Sequence, residues 1–152
     1  MHISSNIPEL RLDRTKLKVF SGFDDSDEIE YWRGHSRSTN DIDFFISGDE
    51  DNAEKMVAAL TDFGLSSSQL SADMFTKKDS LVVMGVEPMA VDILNYCKGV
   101  NFEDAYPRRV VIEDEGLKVN IIGYHDLMAN KRAVDRLKDR ADVEYLERIH
   151  ST

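Results

Sequence analysis

The sequence predicts an α+β (α/β) domain, a mixed β-sheet flanked by helices and closed by C-terminal helices. Three observations predict it. Short runs rich in apolar, β-branched and aromatic residues stand at 41–46, 81–86, 90–95, 108–113 and 117–122. Apolar stripes at helical spacing stand between and after them. Turn signals separate the two kinds, in the order β-α-β-β-(α)-β-β-α-α. A length of 152 residues fits a single globular domain with a sizeable core.

Among residues 1–20, Leu10, Leu12, Leu17, Val19 and Phe20 supply one short strand, and the acidic stretch 21–30 reads as a loop or a polar helix start. Thr39-Asn40-Asp41-Ile42-Asp43-Phe44-Phe45-Ile46 contains a strand over 41–46. Ser47-Gly48-Asp49-Glu50-Asp51 breaks it and offers a helix N-cap. Ala53, Met56, Val57 and Leu60 then recur at helical spacing as a core stripe, and Phe63-Gly64 ends that helix on a glycine. Residues 66–80 form a polar loop with a short helical turn. Leu81-Val82-Val83-Met84-Gly85-Val86, the Glu87-Pro88 turn and 90–95 make a hairpin. One helical turn over 102–106 stops before Pro107, and a second hairpin spans 108–122 around Asp114-Glu115-Gly116. The tail is helical over 126–134 and 138–149, with Leu137, Ala141, Val143, Tyr145, Leu146 and Ile149 as candidate core positions.

Hydrophobic content of 41% and charged content of 32% exclude a disordered or membrane-embedded class. No apolar run reaches the roughly 20 residues that span a bilayer, and the start of the chain lacks a basic-then-apolar signal pattern. The expectation is a cytoplasmic protein with no membrane partner. A single cysteine, Cys97, excludes an internal disulfide and reads as a small apolar residue. Net charge is −10, which argues against bulk nucleic-acid binding. The basic residues crowd near the end (Lys131, Arg132, Arg136, Lys138, Arg140) and the acidic ones near the start (Asp24, Asp25, Asp27, Glu28, Glu30).

The chemistry-bearing feature is Asp41-Ile42-Asp43. Strand alternation puts the two aspartates on one face, about 6–7 Å apart. Like charges that close repel unless a cation sits between them, and Mg²⁺ with oxygen ligands relieves the conflict. The other reading is a strand end carrying solvated aspartates. Asp92, the one acid inside Met89-Ala90-Val91-Asp92-Ile93-Leu94-Asn95, joins a three-carboxylate cluster if the two strands are neighbours. Otherwise it is a strand-edge acid facing water.

Five ordered segments carry a family resemblance. Gly34-His35-Ser36-Arg37-Ser38-Thr39-Asn40-Asp41-Ile42-Asp43 resembles the H-G-x-x-R-x-T-x-D-h-D segment of the DNA polymerase β-like nucleotidyltransferases (h, apolar). Gly85-Val86-Glu87-Pro88 into Val91-Asp92-Ile93-Leu94 resembles their G-x-x-P…h-D-h-L. Gly99-Val100-Asn101-Phe102-Glu103-Asp104-Ala105 is similar to G-V-x-F-E-x-A. The stretch Asp126-Leu127-Met128-Ala129-Asn130-Lys131-Arg132-Ala133, with Arg136-Leu137-Lys138-Asp139-Arg140-Ala141-Asp142-Val143, resembles D-L-h-x-N-K-R-A…R-x-K-D-x-x-D-h. Asn52-Ala53-Glu54-Lys55 falls where the post-strand helix starts. The branch most similar is the small bacterial and archaeal one that includes minimal nucleotidyltransferases and toxin–antitoxin enzymes.

The resemblance implies a nucleotidyltransferase-like domain over 34–152 after a divergent segment 1–33. It implies Asp41, Asp43 and Asp92 as ligands of two Mg²⁺ ions, with Asp92 as general base. It implies a nucleoside triphosphate as substrate, an NMP passed to a protein, RNA or small-molecule acceptor, and a possible protein partner. Arg37, Thr39 and Lys131 are the implied nucleotide-binding residues. For Arg37 an ion pair with a nearby carboxylate is the alternative, and for Lys131 and Arg132 a solvated helix face. Asp139 and Asp142 are expected to cap or pair within the terminal helices. One departure is plain: the glycine pair that cradles phosphates in this family is absent. Ser21-Gly22 is nearest, in reversed order, farther from Asp41, and followed by Asp24-Asp25-Ser26-Asp27-Glu28. A catalytically degenerate, antitoxin-like binding or regulatory module is the alternative function.

Overall fold

The computed structural model describes residues 17–21, 41–86 and 89–151. Among them run β1 (Val19–Ser21), β2 (Asp41–Ile46), α1 (Glu50–Phe63), α2 (Asp73–Thr76), β3 (Leu81–Val86), β4 (Met89–Leu94), α3 (Phe102–Ala105), β5 (Val110–Asp114), β6 (Leu117–Ile121), α4 (Tyr124–Val134) and α5 (Leu137–His150). The fold is α+β, as the patterning predicts. A four-stranded sheet has the order β1-β2-β4-β3, and β5-β6 form a separate two-stranded sheet. β2 and β4 are parallel; the β1-β2 and β3-β4 pairs are antiparallel. Val19–Ser21, within the segment expected to diverge, is thus a strand of the same sheet. No helix among the described residues is long and apolar enough to cross a membrane.

The sheet is covered on both faces, and each strand divides its side chains between two cores by simple alternation. Ile46, Ile93, Val82 and Met84 face α1 and α2, packing on Ala53, Met56 and Phe75. Phe20, Phe45 and Leu94 face the other way, against Cys97, Phe102, Ile121, Leu127, Met128 and Leu146. Phe102 anchors that second core edge-on to Phe20 and Phe45, with ring centroids 5.3 and 5.0 Å away.

Local chemistry sets the element ends. The Asp49 carboxylate accepts the Asn52 N–H at 2.8 Å and caps α1. Burial pushes that carboxyl's pKa up, but bonds from the Ser47 hydroxyl and Asn52 N–H, with Lys18 and Lys55 nearby, hold it below its ordinary value. Gly64, at φ 112°, ends α1 in the left-handed conformation. Asn52 is buried at the start of α1 and ties it to the chain around β1: its amide accepts from Lys18 N–H and donates to Lys18 O and Ser47 O.

The C-terminal helices correct one expectation. Leu137 is 83% exposed and Ala141 is exposed, whereas Asp139, Asp142 and Leu146 are buried. α5 is rotated so that its two aspartates, not its apolar 137/141 edge, meet α4. The reason is Lys131 on α4, buried beneath them. Val143, Tyr145 and Ile149 lie at intermediate depth.

Gly99 decides how the turn after β4 seats on α4. Its φ is +79°, and a Cβ there would lie 2.6 Å from Ala133 Cβ and 2.9 Å from Ala129 O. Gly99→Ala is therefore expected to destabilise the fold by roughly 2–4 kcal/mol, combining left-handed strain with overpacking. A urea-unfolding midpoint unchanged from wild type would refute this.

Candidate functional site

Cross-strand neighbours form rows on the sheet face turned toward α4 and α5. One row, Phe20, Phe45, Leu94 and Leu81, is apolar. The next, toward the start of β2, is Asp43, Asp92 and Val83; beyond it come Asp41, Ala90 and Gly85. Parallel pairing sets Asp43 directly beside Asp92, with strand backbones about 5 Å apart. Position 41 falls on the same face, two residues back along β2. The acids thus sit one pleat beyond the core, where the apolar row ends.

Burial separates the readings that the sequence leaves open. Asp43 is 5% exposed, so it is not a solvated strand-end acid. Asp92 is half-buried on β4, which has β2 on one side and β3 on the other, so it is not a strand-edge acid. Among the described side chains, no group of three or more His, Cys, Asp or Glu is placed to hold a metal ion. Asp43 and Asp92 supply two carboxylates, and the side chain of Asp41 lies outside the described residues. The donor set suits Mg²⁺ in kind, since carboxylate oxygens are its preferred protein ligands.

An open cleft of about 340 Å³ adjoins Asp92, at the small end of the range for ligand sites. Leu81 and Asp92 line its sheet side. Tyr96 and Lys98 after β4, Asn130 of α4 and Arg136 at the start of α5 line the rest. The Asn130 amide donates to Lys98 O at 2.9 Å, fixing the turn on the helix.

The wall behind Arg136 is built from buried charges. The Lys131 ammonium, 2% exposed, donates to Asp142 Oδ2 at 3.0 Å and lies 3.5 Å from Asp139 Oδ1. Arg136 Nε donates to Asp139 Oδ2 at 2.6 Å, and the Arg136 backbone N–H donates to the same oxygen at 3.1 Å. Burial pushes the Asp139 carboxyl up; the two Arg136 bonds and the Lys131 charge outweigh it and hold its pKa below the ordinary value. Asp139 and Asp142 pair within the terminal helices, as expected.

The site residues expected from sequence divide accordingly. Asp43 and Asp92 come together on adjacent strands, with position 41 two residues back along β2 on the backbone of the same strand. Lys131 is not on a solvated face, nor is it a surface cation open to phosphate: two carboxylates surround its ammonium. Arg132 pairs with Glu147 on the helix exterior. Arg37 and Thr39 lie outside the described residues, as does Gly22 of the Ser21-Gly22 pair. Two further cations, Lys98 and Arg136, line the cleft without any motif in the sequence to mark them. Nothing in their spacing announces that the turn after β4 and the α4–α5 junction meet beside Asp92. No protein-family model, no curated protein and no solved structure matches the chain.

Proposed function

We propose that this chain is a Mg²⁺-dependent nucleotidyltransferase of the DNA polymerase β-like kind, moving an NMP from a nucleoside triphosphate to an acceptor. The observation that carries the reading is the register of β2 and β4, which sets Asp43 beside Asp92 with position 41 on the same face. A buried carboxylate beside a second one on the neighbouring strand supplies the kind of oxygen donors that Mg²⁺ takes. Mg²⁺ bound by Asp41, Asp43 and Asp92 would neutralise the triphosphate and orient its α-phosphorus. Asp92 is the more exposed of the described pair and lines the cleft, which supports a role for it as the base that takes the acceptor hydroxyl's proton. The acceptor oxygen then bonds to the α-phosphorus as the bond to the bridging oxygen breaks, and pyrophosphate leaves.

The test is calorimetric titration of ATP, GTP, CTP and UTP with and without Mg²⁺, on the wild type and on Asp41→Asn/Asp43→Asn. Metal-dependent binding to the wild type that disappears in the variant is expected. A folded wild type that binds no nucleotide would sink the reading and leave the chain as a binding module.

A further inference from the structure

We infer that Lys98 and Arg136 form a polyphosphate subsite in the cleft beside Asp92. The inference rests on the proposed function for the identity of its ligand, a nucleoside triphosphate. The cleft gathers opposite charges: Asp92 of β4 and Asp79 just before β3 line it together with two cations, Lys98 from the turn after β4 and Arg136 from the α4–α5 junction. In a chain of net charge −10, two cations meeting in one concave site are no general property of the surface. A ligand that carries both a cation and anionic oxygens matches a lining of acids and cations together.

Both cations are positioned by contacts that have nothing to do with each other. Lys98 is held through its backbone, where Asn130 donates to its carbonyl and Gly99 sits against Ala129 and Ala133. Arg136 is oriented through its side chain, because Asp139 accepts from Nε at 2.6 Å and from Nη2 at 3.3 Å while the side chain stays 46% exposed. Arg136 is also the N-cap residue of α5, a 14-residue helix, whose positive end adds to the potential there. The volume of about 340 Å³ fits a polyphosphate better than an entire nucleotide. The base would then lie toward the rim, where Tyr96 is 53% exposed.

The experiment is titration of inorganic tripolyphosphate, and separately of Mg²⁺ with ATP, into wild type, Lys98→Gln, Arg136→Gln and Lys118→Gln, with circular dichroism confirming the fold. Lys118 is an exposed lysine on β6, outside the cleft, and controls for net charge. Lys98→Gln is the decisive variant, since Arg136→Gln also removes the Nε and Nη2 bonds to the buried Asp139. About tenfold weaker binding of both ligands in Lys98→Gln, a comparable loss in Arg136→Gln and no change in Lys118→Gln are expected. Nucleotide binding undiminished in Lys98→Gln would overturn the subsite while the proposed function stands. Tripolyphosphate binding that depends on Lys98, in a protein that binds no nucleotide, would support the subsite and remove the transferase reading. No tripolyphosphate binding to the wild type, or an equal loss in Lys118→Gln, would overturn the subsite.

Discussion

Asp43→Asn is expected to remove the protein's thermal stabilisation by Mg²⁺ and nucleotide. Asp43 is 5% exposed and stands beside Asp92 in the β2–β4 register. Asparagine keeps the shape and removes one of the carboxylates that a cation would need. In the wild type, a ligand at about 100 times its Kd contributes about 2.7 kcal/mol, which raises Tm by roughly 5–10 °C for a domain of this size. The variant should show no such rise. Thermal melts of both proteins, with and without Mg²⁺ and ATP, check this. A variant whose Tm still rises with the ligand as the wild type's does would show that Asp43 is no part of a cation site.

Lys131→Met is expected to cost about 3–5 kcal/mol, because it strands Asp139 and Asp142, 1% and 5% exposed, without the ammonium between them. Asp139 keeps its Arg136 bonds; Asp142 loses its 3.0 Å partner. Adding Asp139→Asn and Asp142→Asn to Lys131→Met should recover most of the loss, since the buried charges then go together. A urea midpoint within experimental error of wild type for Lys131→Met would refute the prediction. The same cluster sets an acid limit. Asp139 is held below the ordinary carboxylate pKa of about 3.9, so its stabilising contribution is fully present above that value and is lost as pH falls below it toward the folded-state pKa. Acid unfolding of the wild type should therefore include a component below about pH 4 that Asp139→Asn lacks.

The buried Lys131 also shows where a residue's type and its place part company. A lysine on an amphipathic helix in a basic stretch reads as a surface cation. Its burial depends on two aspartates 8 and 11 residues further along, on a helix whose angle to α4 no local pattern specifies. For the same reason Leu137 and Ala141 read as core positions from sequence yet are exposed: helical periodicity gives the apolar edge of α5, while the facing helix selects which edge is buried. The buried charge selected the polar one.

Local chemistry alone determined much of the rest. The strand at 41–46 follows from its aromatic and β-branched content, the cap at Asp49 and stop at Gly64 from side-chain bonding and backbone freedom, and both hairpins from their turns. The α+β class follows from those elements, and the shared face of positions 41 and 43 from strand alternation. These features depend on residues within a few positions of one another. The tertiary structure alone decided that β2 lies parallel to β4, that Asp43 meets Asp92, and that Lys98 and Arg136 close the cleft beside them. Those contacts join residues tens of positions apart, and they are set by how two layers pack on the sheet, which no short stretch of sequence encodes.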